Sequence, residues 1–238
     1  MSATNRGAIR HPDDYYATPG WAVRAVLPLL VPQLPKRYMV LEPAAGEGAI
    51  VVEMLRNGID PDRLAAVEID QDRAVECCKA ISGVRPEIEA AVNHSDFRLY
   101  AAACARDGVG FDLVLGNPPF SLAMEFVQTS LAITRPGGAT VMLLRVPWLG
   151  SQERAPWLRA NTPTMNLLDR RPSFYEGAPP KAQAGLFGEQ VTETVEGVGT
   201  DNTEYAWFEW RLDGERRLTP PTIRILECEK SQRRRRAA

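Results

Sequence analysis

Tyr38-Met39-Val40-Leu41-Glu42-Pro43-Ala44-Ala45-Gly46-Glu47-Gly48 is the stretch on which the fold turns. Tyr38 to Leu41 reads as a short buried strand. It runs into a turn where Gly46 and Gly48 let the backbone bend tightly and approach a ligand with no side chain between. A helix follows from about Ala49 to Asn57, its first N–H groups unpaired within the helix, and Asn57-Gly58 stops it. The same alternation continues outward. Strands are expected at Leu64–Val67, Ile88–Val92, Phe111–Leu115 and Thr140–Val146, with helices at about Asp72–Ile81 and Leu122–Ile133. The second of these helices closes at Arg135-Pro136-Gly137-Gly138. Upstream, Thr18 suits a helix N-cap and Pro19 the first helical position. Trp21, Ala22, Ala25, Val26 and Leu29 form that helix's apolar face, and Pro28, Pro32 and Pro35 end it. Tyr205–Arg211 and Thr222–Leu226 read as late strands. Strands alternating with helices predict an α/β fold: a mostly parallel twisted sheet of about seven strands with helices on both faces.

Composition narrows the class. The chain has 238 residues, 45% of them apolar, which is enough for one sizeable core. Lys plus Arg is 28 against 30 Asp plus Glu, so the chain is not a polycation, although local basic patches remain possible. No apolar run reaches the roughly 18 to 20 residues of a membrane helix, and the N-terminus has no apolar core of a secretory signal. Cys77, Cys78, Cys104 and Cys228 show no C-x-x-C spacing, and His11 and His94 are the two histidines. A disulfide framework and a metal site are therefore disfavoured, and a reduced, cytoplasmic setting is expected. The expected organisation is a flexible stretch 1–14, a single domain 15–228 with an inserted loop at about 171–203, and a basic tail 229–238. That tail carries Arg233 to Arg236.

The glycine turn departs from a dinucleotide fingerprint. Val51 stands where a third glycine would, and Glu42 and Glu47 would repel a pyrophosphate. Glu68, 20 residues after Gly48, is placed to accept hydrogen bonds from both hydroxyls of a ribose. The ligand implied has a ribose and a cationic, phosphate-free portion; S-adenosylmethionine answers that description. At the end of the third strand, Asp96 can accept from an adenine exocyclic amine and Phe97 can pack on its ring.

The most specific segment is Phe111-Asp112-Leu113-Val114-Leu115-Gly116-Asn117-Pro118-Pro119-Phe120. An exocyclic amine on adenine is a poor nucleophile because its lone pair is delocalised into the ring. Two acceptors, the side-chain oxygen of Asn117 and the carbonyl of Pro118, would draw it toward tetrahedral geometry. The consecutive prolines fix both acceptors in place. Phe120 can stack on a base taken out of its helix.

These segments resemble those of S-adenosylmethionine-dependent DNA adenine N6-methyltransferases in which the cofactor motifs precede the catalytic one. Glu42–Gly48 resembles the first motif, Ala66-Val67-Glu68-Ile69-Asp70 the second, Ser95-Asp96-Phe97 the third and Asn117-Pro118-Pro119-Phe120 the catalytic one. Tyr15-Tyr16-Ala17-Thr18-Pro19-Gly20-Trp21 resembles the segment that closes over the methionine end of the cofactor. The resemblance covers most of 13–147 and implies a Rossmann-like methyltransferase fold with DNA as partner. It implies Asn117, Pro118, Pro119 and Phe120 as catalytic residues. For the cofactor it implies Tyr16, Thr18, Trp21, Glu42, Ala44, Gly46, Gly48, Glu68, Ile69, Asp96, Phe97 and Asn117. Through Arg170-Arg171-Pro172-Ser173-Phe174 and Glu204-Tyr205-Ala206-Trp207-Phe208-Glu209-Trp210 the C-terminal third resembles small phage-type adenine methyltransferases, which implies a bacterial cell or phage-infected host as the setting. Many members carry a separate target-recognition domain, for which this chain has no room.

Residues 145–175 hold Arg145, Arg154, Arg159, Arg170 and Arg171 against Glu153 and Asp169. Arg145, Arg170, Arg171 and Phe174 are the candidates for nucleic-acid contact. Residues 176–204 hold six acids and one lysine, so that stretch is not expected to lie on phosphates. RNA or a protein glutamine as acceptor, and a non-catalytic nucleic-acid-binding role, stay open, as do target site and oligomeric state.

Overall fold

The computed structural model describes residues 16–87, 92–172 and 203–228. Its helices are α1 (Gly20–Leu30), α2 (Ala49–Arg56), α3 (Gln71–Val84), α4 (Phe97–Arg106), α5 (Ala123–Ile133) and α6 (Ala155–Ala160). Its strands are β1 (Val40–Glu42), β2 (Leu64–Glu68), β3 (Asn93–His94), β4 (Phe111–Gly116), β5 (Thr134–Arg145), β6 (Thr164–Leu168), β7 (Tyr205–Arg211) and β8 (Ile223–Leu226). They form one sheet in the order β3-β2-β1-β4-β5-β7-β6-β8. Every neighbouring pair is parallel except those made by β7, which is antiparallel to β5 and β6. The α/β, Rossmann-like expectation holds, with eight strands among the described residues rather than about seven.

Both faces of the sheet are covered. On one, Val40, Leu113, Leu115, Val141, Leu143 and Trp207 pack against Val23, Val26 and Leu27 of α1 and Ile50 and Met54 of α2. On the other, Leu41, Val114, Met142, Phe208 and Trp210 pack against Phe97 and Ala101 of α4 and Phe126 and Val127 of α5. The alternation along β7 explains its place deep in the sheet: Tyr205 and Trp207 enter the first core, Ala206, Phe208 and Trp210 the second. Trp207 is fully buried, and its indole N–H donates to the Ala22 carbonyl at 2.8 Å, tying β7 to α1. Truncating such a side chain costs about 3–5 kcal/mol.

Several elements differ from the sequence reading. Thr18 does not cap α1, whose N-cap is Pro19 with no side-chain bond. Pro28 lies inside α1 on an exposed position rather than ending it, where a carbonyl left without its N–H partner can be solvated. The expected turn at Arg135–Gly138 belongs instead to β5, as an irregularity that shifts its register with β4 between Phe111 and Leu113. The third strand is Asn93–His94, and residues 88–91 of the expected one lie outside the described residues. α4, α6 and β6 were not expected. No helix among the described residues is long and apolar enough to cross a membrane.

The order of the sheet positions the site. From β1 the chain builds outward to β2 and β3, then returns to place β4 on the other side of β1. Such a reversal opens a crevice at the carboxyl ends of the strands, where ligands bind in open α/β sheets. Glu42, Glu68, His94 and Gly116 are the last residues of the four strands flanking it.

Candidate functional site

A cavity of about 300 Å³ lies at that crevice, within the usual range for a small-molecule site. Its walls include Tyr16, Thr18, Ala44, Glu68, Ile69, Asp70, Asp96, Phe97, Arg98, Asn117 and Pro119. Four separate strand ends and the segment before α1 thus meet around one space. Of the residues expected to contact a cofactor, Trp21, Glu42, Gly46 and Gly48 are not among its walls.

The glycines act through the backbone. Gly46 and Gly48 have φ of 53° and 91°, a region that L side chains rarely adopt. A Cβ on Gly48 would stand 3.0 Å from Cys77 Sγ, so the turn also needs that residue small for α2 and α3 to approach. The Gly46 amide donates to Glu68 Oε2 at 2.7 Å, and the Asp70 amide donates to Glu68 Oε1 at 2.9 Å. The carboxylate expected to take a ribose is therefore also the brace that ties β2 to the glycine turn. Each oxygen keeps a lone pair beyond the one it uses.

Glu42 lies under the turn with no exposed surface. Its Oε1 accepts from the Ala44 amide at 3.2 Å, while Oε2 is buried with no hydrogen-bond partner. Burial pushes its carboxyl well above the usual range, and the Glu68 charge adds to this. Beneath the same turn, burial pushes the Cys77 thiol up to about 12, so it is inert packing.

Asp96 caps α4 by accepting from the Arg98 amide at 2.8 Å, and the Arg98 guanidinium folds back onto both of its carboxylate oxygens. Arg98 holds the Asp96 carboxyl below the ordinary range. The expected acceptor for an adenine amine is thus already bonded, and Arg98 itself forms part of the wall. Ile69 is 64% exposed although it stands at the rim. A flat apolar ligand would cover it.

Asn117 follows β4 directly. Its Nδ2 donates to the Tyr16 carbonyl and to Thr18 Oγ1, both at 3.1 Å. Its Oδ1 is buried with no partner. Pro118 and Phe120 are not among the cavity walls; the Phe120 ring stacks on wall residue Tyr16 at a centroid distance of 5.8 Å. The Arg145 guanidinium lies 4.7 Å from the Phe120 ring centroid, and Arg145 Nε donates to the Tyr205 hydroxyl at 2.9 Å. Trp21 packs with Arg170 instead of facing the cavity, the guanidinium 3.9 Å from the indole centroid. Arg171 pairs with Glu204 at 2.7 Å. Arg145 ends β5, and Arg170 and Arg171 follow β6, so all three gather at the sheet edge where the carboxyl ends of the parallel strands lie. Phe174 and the run Arg233–Arg236 lie outside the described residues.

Asp70, Arg73 and Arg98 at the cavity were missed from sequence. Asp70 carried a usable signal, an N-cap residue two positions after a strand end; its side chain accepts from the Arg73 amide at 2.9 Å. Among the described residues no three His, Cys, Asp or Glu side chains gather as metal ligands.

No family model matches the sequence, and no curated protein does. Solved structures do. A Listeria monocytogenes protein described as a class I S-adenosylmethionine-dependent methyltransferase superposes with a TM-score of 0.58 at 13% identity, over 93% of this chain and 68% of that one. The M protein of the type I restriction enzyme EcoKI gives 0.54 at 15% identity, over 84% of this chain and 44% of that one. An rRNA methylase from Streptococcus thermophilus gives 0.51 at 10% identity, over 81% of this chain and 97% of that one. This chain therefore spans less than half of the restriction enzyme's M protein. Sheet order, the crevice beside β1 and these likenesses agree that the chain has the Rossmann-like fold of class I S-adenosylmethionine-dependent methyltransferases.

Proposed function

We propose that this chain transfers a methyl group from S-adenosylmethionine to the exocyclic N6 amine of adenine in DNA. The observation that carries the reading is the Asn117 carboxamide. Its donor end is bound to the segment before α1, and its acceptor is buried without a partner in a residue of the cavity wall. A buried oxygen without a partner is costly, by about 1–3 kcal/mol, unless a ligand donor satisfies it.

The cavity suits the cofactor. Glu68 and Asp70 make it receptive to hydroxyl and amine donors, Arg73 and Arg98 stand in the same wall, and Ile69, Phe97 and Pro119 give it apolar walls. When bound, S-adenosylmethionine supplies an electrophilic methyl group on a sulfonium. Glu68 accepts from the ribose while keeping the glycine turn in shape. Asn117 Oδ1 and the Pro118 carbonyl accept the two hydrogens of the adenine amine and localise its lone pair, and Pro119 keeps that backbone rigid. After transfer the amine nitrogen loses one proton to water, so no strong base is required. Phe120 offers its ring to the base, for which the Arg145 guanidinium has to leave it. Arg145, Arg170 and Arg171 then face phosphates along the same edge.

The test is transfer of labelled methyl groups to DNA from a methylation-free bacterium, with unmodified rRNA and a glutamine-containing peptide in parallel. Label in N6-methyladenine of DNA is expected. Label in RNA or peptide alone would reassign the acceptor, and binding of DNA with no transfer to anything would support a non-catalytic role.

A further inference from the structure

A carboxamide has a donor end and an acceptor end of nearly the same shape. Packing alone does not decide which one faces a substrate; hydrogen bonds do. In Asn117 each of the two Nδ2 hydrogens has its own acceptor, the Tyr16 carbonyl and Thr18 Oγ1. The carbonyl can only accept, so it fixes the nitrogen end on the protein side. Both acceptors come from the short segment before α1, far in sequence from β4. Thr18 is 5% exposed and also stands in the cavity wall. It does not cap the helix beside it, which leaves its hydroxyl oxygen for Asn117.

We propose that Thr18 is a positioning residue: its hydroxyl, together with the Tyr16 carbonyl, holds the Asn117 carboxamide so that Oδ1 faces the substrate amine. This rests on the amine-methylation reading above and extends it to the segment that supplies the orientation. The Tyr16 acceptor is main chain and survives any substitution, so Thr18 is the removable arm. Thr18→Val keeps the shape and loses the acceptor, while Thr18→Ser restores it. A role in cofactor contact alone gives a different pattern, because weaker binding raises KM and leaves kcat in place.

The experiment compares wild type, T18V and T18S in two readouts. The first is the ¹⁵N–¹H signals of the Asn117 side-chain amide, identified by their loss in N117A. Two resolved, slowly exchanging protons are expected in wild type and T18S, with one of them shifted and exchanging faster in T18V. The second is steady-state methyl transfer to DNA. T18V should lose about 10- to 100-fold in kcat with KM for S-adenosylmethionine little changed, and T18S should recover most of it. An unchanged Asn117 spectrum in T18V, or an intact kcat with a raised KM, would overturn the proposal. If wild type transfers no methyl group to any acceptor, the functional reading fails while the amide signals still decide the clamp. Should T18V not fold, wild-type exchange decides alone: freely exchanging Asn117 protons would overturn the clamp.

Discussion

The carboxylate of Glu68 receives the Gly46 amide at 2.7 Å on one oxygen and the Asp70 amide at 2.9 Å on the other. Glutamine is therefore not a conservative replacement: its NH2 would meet one of two N–H donors. Glu68→Gln should lower stability by about 1–3 kcal/mol, the penalty of a buried unsatisfied donor. It should also weaken cofactor binding. Thermal unfolding with and without S-adenosylmethionine checks both, and an unchanged midpoint in the two conditions would refute the brace.

Asn117→Ala removes the acceptor while leaving the cofactor's apolar walls in place. Methyl transfer should fall by about 10²- to 10³-fold, the scale seen when one preorganised hydrogen-bonding group is lost. Calorimetric titration with the cofactor should still show binding. Activity within a few-fold of wild type would remove Asn117 from the mechanism.

Phe120 carries Arg145 on its ring at 4.7 Å. Phe120→Ala should weaken binding of an oligonucleotide with an unpaired adenine by about 1–3 kcal/mol, the range of base–aromatic stacking. Phe120→Trp should keep most of it. Fluorescence of 2-aminopurine reports the stacking directly, and equal quenching in wild type and F120A would exclude Phe120 as the platform.

Glu42 ties stability to pH in a fixed direction. Burial raises its folded pKa above the unfolded one, so the folded state holds a proton that the unfolded state has lost. The stability this group contributes is fully present below the unfolded pKa and is lost as pH rises through the folded one. Glu42→Gln keeps a neutral group of similar shape. The variant should gain thermal stability over wild type as pH rises from about 4.5, the ordinary carboxylate range, toward 8. At acid pH the two should converge. A constant offset at all pH values would mean that folding leaves the Glu42 pKa unchanged.

Arg171 is held by exposed Glu204 in a pair that solvent and salt screen, so it is easily given up. If Arg171 meets a phosphate, Arg171→Ala should reduce the slope of log affinity against log salt by about 1. Glu204→Gln should tighten DNA binding at low salt by freeing the guanidinium. Anisotropy titrations over a salt series measure both, and an unchanged slope would place Arg171 off the DNA.

Residue type disclosed the glycine turn, Glu68 and the Asn117 segment because each meets a backbone or hydrogen-bonding demand that few residues satisfy. Gly46 and Gly48 do adopt positive φ, and Glu68 and Asn117 do meet at one cavity. What stayed hidden was hidden for local reasons. β6 alternates buried and half-buried residues, but one buried position is Asn166, paired with the Trp207 carbonyl and Glu209, so the apolar period is broken. α4 did carry a signal, Phe97, Ala101 and Cys104 buried at helical spacing behind the Asp96 cap. The retention of Asp96 by Arg98 and the packing of Arg170 on Trp21 depend on side-chain directions that spacing does not encode.

Because β7 runs against its neighbours, the end of β6 and the start of β7 emerge on the same side of the sheet, joined by the Arg171–Glu204 pair. That side is the one where Asn117 and Phe120 stand. The chain therefore leaves the sheet after β6 and re-enters it at β7 from one edge, with Arg171 and Glu204 in contact there. Both ends of that connection are thus fixed beside the crevice, so its place of attachment is set by the strand directions alone.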